Sequence, residues 1–97
     1  MPLYLIERNF AEELITNDDT IAEVLKANNS ADVEWLFSFL SADRKKTYCL
    51  YEASNPDAII EAARLAGLPA DVIVPVSDLR PDQFPAAVAL VNGQEQS

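Results

Sequence analysis

Three kinds of residue in this chain are equipped for chemistry: one cysteine, a few carboxylates and a set of aromatic rings. Cys49 sits in "RKKTYCLYEA" (44–53), between Tyr48 and Tyr51, with Glu52 following. A reactive thiol needs a nearby cation or helix N-terminus and some exposure. In mid-strand among Tyr48, Leu50 and Tyr51, a cysteine is more simply a small buried hydrophobe. Glu7 closes the run "YLIE" and is the candidate general base, a role open to a carboxylate enclosed by aromatic rings. Its structural alternative is an ion pair or a solvated strand end, and Glu52 invites the same reading more strongly. Arg8 follows Glu7 directly, so on a strand the two point to opposite faces and only one can enter a given cavity. Trp35, Phe37, Phe39 and Tyr51 can wall a pocket for a flat apolar ligand, with Arg8 and Cys49 beside them. The commoner role of such a stripe is core or subunit interface. Ser38 and Ser41 have no histidine to activate them, because the chain has none. With only Gly67 and Gly93, there is no glycine-rich phosphate loop either.

These residues need elements to hold them. "PLYLIE" (2–7) predicts a strand. "TIAEVLKANN" (20–29) predicts a helix, with Thr20 and Glu23 at capping-box spacing and Ile21, Val24 and Leu25 as its apolar stripe. The connection between them, 9–19, includes "AEELI", which reads as a turn of helix. "DVEWLFSFLS" (32–41) and "KTYCLYEA" (46–53) read as a strand pair joined by the "ADRKK" loop. "SNPDAIIEAARLAG" (54–67) is the clearest helix. Ser54 or Asn55 can cap it, Pro56 suits its first turn, Ile59, Ala62, Ala63 and Ala66 share a face, and Gly67 ends it. "DVIVPV" (71–76) is a last strand whose Pro75 calls for an edge.

The order β-α-β-β-α-β predicts an α+β, ferredoxin-like domain over 1–79, with a four-stranded antiparallel sheet ordered 4-1-3-2 and both helices on one face. Residues 80–97 read as a partly ordered tail. Counting alternate positions puts Val33, Trp35, Phe37 and Phe39 on one side of the second strand and Leu36, Ser38 and Leu40 on the other. Neither strand of the pair alternates cleanly between apolar and polar, so both faces of the sheet expect cover. Two helices supply only one. Burying ~400 Å² of the other at about 25 cal/mol per Å² is worth on the order of 10 kcal/mol before association costs. A homodimer packed sheet on sheet is the simplest cover; the alternative is a monomer whose "FPAAVALV" folds back over the face.

Composition sets the outer limits. The 97 residues carry a net charge of −9, with 49% apolar and 24% charged residues. Such a surface repels phosphate backbones, and Arg44-Lys45-Lys46 is too short a cluster to reverse that, so nucleic acid is excluded as a partner. Those three cations read as a solvated hairpin loop. No apolar run approaches the ~20 residues that span a bilayer, so no membrane partner is expected. One cysteine makes no internal disulfide, and with no basic leader at Met1-Pro2 the expectation is a cytoplasmic protein.

The blocks "YLIER", "VEWLFSFLS", "KKTYCLYEA" and "NPDAIIEAARLAGLPAD" resemble a family of small bacterial proteins of unknown function, one branch of which is nickel-binding. The resemblance covers residues 3–79. It implies the dimeric α/β-barrel group, in which two ferredoxin-like domains pack sheet against sheet. It also implies that the nickel-binding branch carries ligand histidines where this chain has Arg8, Ile21, Ala63 and Leu68. Nickel(II) favours imidazole or thiolate, and Cys49 with Glu7 is a poor set. No metal and no cofactor are therefore expected. Three functions remain in play: a dimer binding a small ligand in an inter-sheet aromatic cavity, a non-catalytic interaction or stress-type dimer with a filled interface, and a divalent-metal binder like the histidine-containing branch. Whether the chain is an enzyme stays open, with Glu7 as the one candidate for catalysis.

Overall fold

A computed structural model describes residues 1–95. It runs β1 (Leu3–Asn9), α1 (Asp18–Ala31), β2 (Glu34–Leu40), β3 (Lys46–Glu52), α2 (Pro56–Ala66) and β4 (Val72–Val76), then a 3₁₀ turn (Pro81–Gln83) and α3 (Pro85–Glu95). The strands form one antiparallel sheet in the order β2-β3-β1-β4, which is 4-1-3-2 read from the other edge. β4 pairs with β1 alone, so Pro75, opposite Tyr4, lies on an edge strand where a missing N–H donor is tolerated. Among the described residues, no helix is long and apolar enough to cross a membrane.

Local chemistry sets the helix ends. Asn17, not Thr20, caps α1: its side chain accepts from the Thr20 N–H at 2.9 Å, and the Thr20 hydroxyl accepts from the Asn17 N–H at 3.0 Å. Asn17 was hidden by the Thr20–Glu23 spacing, and the helix starts three residues earlier than that spacing implies. Asn55 caps α2 by accepting from the Ala58 N–H at 3.0 Å, and Gly67 ends it at φ 68, a left-handed conformation that glycine adopts without strain. "AEELI" is not helical; residues 10–17 form an irregular loop.

The core lies between the sheet and α2. Tyr4, Ile6, Cys49 and Tyr51 pack against Ile59 and Ala62, with Val33 and Ala53 at the margins. Small alanines let α2 approach the sheet closely enough for Ile6 and Ile59 to be wholly buried. α1 seats only its C-terminal half, through buried Ala27 and Asn28, while Leu25 of the expected stripe faces solvent.

The strand faces depart from the expected ones at a single point in β2. Trp35 pairs with Tyr51, yet Phe37 pairs with Leu50, so Leu36 is an extra residue, a β-bulge. Trp35, Ser38 and Leu40 therefore share the helix-covered face with Cys49, Tyr51, Ile6 and Arg8. Phe37 and Phe39 go to the other face, with Tyr48, Leu50, Leu5, Glu7, Val72 and Val74. Counting by parity placed Trp35 with Phe37 and Phe39; the bulge separates them.

Among the described residues, nothing covers the outer face. Phe37, Phe39, Tyr48, Val72 and Val74 are exposed. The C-terminal segment does not fold back over them: every residue from 77 to 93 is exposed, and α3 packs chiefly against its own 3₁₀ turn. The chain is consequently long, with extents of 56 × 31 × 23 Å. Residues 96 and 97 of the expected tail lie outside the described residues.

Candidate functional site

The half-seated α1 leaves a space beneath its N-terminal end. A cavity of about 710 Å³ lies there, roofed by Ile21 and Val24, floored by Thr47, Cys49 and Tyr51 of β3, and walled by Trp35, Ser38 and Leu40 of β2. Leu68 and Ala66 close the end beside α2, and the loop 10–16 forms the outer wall. Exposed Glu12, Glu13 and Glu23 stand around the rim.

The outer wall is held by long-range bonds that connect it to the β2–β3 hairpin. The Phe10 N–H donates to the Lys45 carbonyl at 2.8 Å and the Leu14 N–H to the Arg44 carbonyl at 2.7 Å. The Arg44 guanidinium returns the contact, donating to the Leu14 carbonyl at 3.0 Å and the Thr16 hydroxyl at 2.8 Å. Arg44 is thus a fastener, not a freely solvated loop cation. Lys46 also has a partner, because its ammonium meets the Glu7 carboxylate at 2.9 Å. That pairing is the chief reason the lysine's pKa is pushed up, and Tyr48, whose ring centre lies 5.4 Å from the ammonium, adds to it.

The expected site residues divide between the two faces. Arg8, Trp35, Cys49 and Tyr51 line the cavity together. Glu7, Phe37 and Phe39 are on the opposite face, where the two phenyl rings meet edge to face with centroids 5.6 Å apart. Glu7 has the ion pair named as its structural alternative. Cys49 is a free, buried thiol whose sulfur contacts the Thr47 hydroxyl at 3.5 Å. Trp35 is fixed at the wall by its indole N–H, which donates to the Ser38 hydroxyl at 2.8 Å.

Arg8 brings a charge to this buried face. It is 2% exposed, and its guanidinium donates to the Pro69 carbonyl and stacks 5.8 Å from the centre of the Tyr51 ring. The Tyr51 hydroxyl accepts from the Asn28 side chain at 3.5 Å. Burial is the chief reason that this hydroxyl's pKa is pushed up, with the Arg8 charge pulling it back. Phe10, Leu14, Ile21, Val24 and Leu68 also line the cavity, and sequence reasoning missed all five as site residues. Ile21 and Val24 were visible as a helix stripe, but a stripe does not reveal that the helix stands off the sheet.

A family model described as nickel responsive protein SCO4226-like matches residues 4–76. The chain belongs to the SCO4226-like family. The SCO4226-like match ends with the last residue of β4, so the 3₁₀ turn and α3 lie beyond it. The crystal structure of SCO4226 from Streptomyces coelicolor A3(2) shares 20% identity and a TM-score of 0.67, covering 80% of this chain and 99% of that one. At that identity the likeness establishes the ferredoxin-like fold. No curated protein matches the chain.

Proposed function

We propose that the protein is a small-molecule-binding homodimer, with the cavity under α1 as the ligand site and the bare sheet face as the subunit interface. The observation that carries the ligand reading is the cavity itself: a largely apolar space within the usual ligand-site size, with a few polar groups converging on it. The bulge at Leu36 removes the conflict between an aromatic pocket and an aromatic interface. Trp35 and Tyr51 serve the first, Phe37 and Phe39 the second, so a filled, dry interface is compatible with a ligand site. Glu7, paired with Lys46 on the interface side, has no catalytic part in this reading.

Trp35 is the sole tryptophan and lies in the cavity wall, so its fluorescence reports one place. In a screen of small aromatic and polyketide-like compounds, a saturable change in Trp35 emission is expected. It should survive in Glu7→Gln, because Glu7 is on the far face. If no compound perturbs Trp35 in the folded protein, the ligand reading is withdrawn.

The family's description brings nickel into consideration, but the donors present do not fit it. The chain has no histidine, and no group of three or more cysteine, aspartate or glutamate residues is placed to hold an ion among the described residues. Cys49 and Glu7 are on opposite faces of the sheet and cannot share a metal. Three positions where the resemblance places histidines, Arg8, Ile21 and Leu68, line the cavity, so the same space is here built for another kind of ligand. Elemental analysis of protein purified without a histidine tag is expected to find no stoichiometric nickel or zinc; one metal ion per chain would reverse this reading.

A further inference from the structure

The Arg8 guanidinium is a permanent cation with five N–H donors, held nine-tenths buried or more on the floor of an apolar cavity. Taking such a charge out of water is costly unless it is paired and hydrogen-bonded. The protein meets only part of that need. One hydrogen bond goes to the Pro69 carbonyl, and one face stacks on Tyr51. Among the described residues, no carboxylate lies within ion-pair reach of Arg8, although three line the rim. Yet no buried side-chain nitrogen among the described residues is left without a partner. The guanidinium nitrogens that do not serve Pro69 are therefore not sealed off, and Arg8 lines the cavity.

We propose that the cavity takes an amphipathic carboxylate, an aryl or alkyl acid whose carboxylate pairs with Arg8 and whose apolar body lies against Trp35, Ile21, Val24 and Leu68. This deepens the ligand reading and rests on it. Several features select the class. The planar guanidinium fork matches a carboxylate in two parallel hydrogen bonds, and such pairs strengthen away from water. A single cation suits a monoanion; a phosphate ester with two charges, entering past Glu12, Glu13 and Glu23, would need more. The remaining lining supplies few donors for a polyhydroxylated ligand. The roof is a helix seated only by its far half, so it can admit a body of variable length.

The test compares acids with their neutral analogues on the intact protein. The probes are 2-naphthoic acid against its methyl ester, and decanoic acid against decanol, titrated at neutral pH while Trp35 emission is followed. The acids are expected to bind at least about tenfold more tightly than the neutral partners, and Arg8→Gln to abolish that preference. Arg8→Lys, which keeps the charge and loses the fork, should fall between. Should Arg8→Gln fail to fold by circular dichroism, the acid-to-neutral ratio on the unaltered protein decides. Equal binding of acid and neutral analogue would overturn the carboxylate inference and leave the cavity reading standing. An acid preference that persists in folded Arg8→Gln would also overturn it. No response to any probe would remove both readings.

Discussion

Tyr51→Ala is expected to cost about 3–5 kcal/mol, a large share of the roughly 5–15 kcal/mol that holds a domain of this size together. Among the described residues, Tyr51 is, with Ile6 and Ile59, one of the largest fully buried side chains, and it sits where the core meets the cavity. Removing the ring enlarges an existing void, so little collapse is available to offset the loss. It also strips Arg8 of the face it stacks on and Asn28, itself buried, of its acceptor. Tyr51→Phe keeps the ring and gives up only the hydroxyl, at about 1 kcal/mol. Urea unfolding followed by circular dichroism separates the two variants; a cost for the alanine below that of the phenylalanine would contradict the account. Burial also sets a sign with pH. The folded-state pKa of Tyr51 lies above its ordinary 10.0, so below that value the residue is neutral in both states. Above it the unfolded chain releases the proton first, and stability falls as pH rises.

Phe39→Asp is expected to convert the protein from a particle of twice the 10.7 kDa chain mass to a single chain. Phe39 is 65% exposed, so the change removes almost nothing from the core, and circular dichroism should be unaltered. Its effect falls on association. On a face shared with Phe37, Tyr48, Val72 and Val74, an aspartate would have to be buried without a partner in the dimer. Stable interfaces bury about 800 Å² per subunit, and a small sheet face must use most of its area to reach that. Light scattering at micromolar concentration gives the answer. Wild-type protein at 10.7 kDa would end the dimer reading, and a variant that stays at twice that mass would move the interface elsewhere. The exposed helix α3 is the natural place to look in that event.

The fold was readable because its signals are local. Asn55, Pro56 and Gly67 mark the ends of α2 within a dozen residues, and Pro75 by itself excludes a central position for β4. The site was only half readable because its determinants are not local. Adjacent Glu7 and Arg8 must face opposite ways, but nothing in "YLIER" says which faces the helices. The outcome follows from which parity carries Tyr4 and Ile6 into the core. The cavity wall depends on bonds from Leu14 to Arg44, thirty residues later, which no pattern in 9–19 announces. Arg44 itself, at φ 62, takes a left-handed conformation that its place in a cationic cluster does not suggest.

Leu36 has a consequence for how relatives are compared. Because every other residue of β2 keeps its own partner on β3, Leu36 is the one position that can be removed without moving a neighbour across the sheet. A relative lacking it would be one letter shorter in this strand and unchanged in architecture. If the missing letter is instead assigned to the hairpin after Leu40, the columns between fall out of step. Phe37 would then be matched to a cavity residue and Ser38 to an interface residue. Comparison across this strand needs its gap at Leu36, or the two surfaces will be read as one.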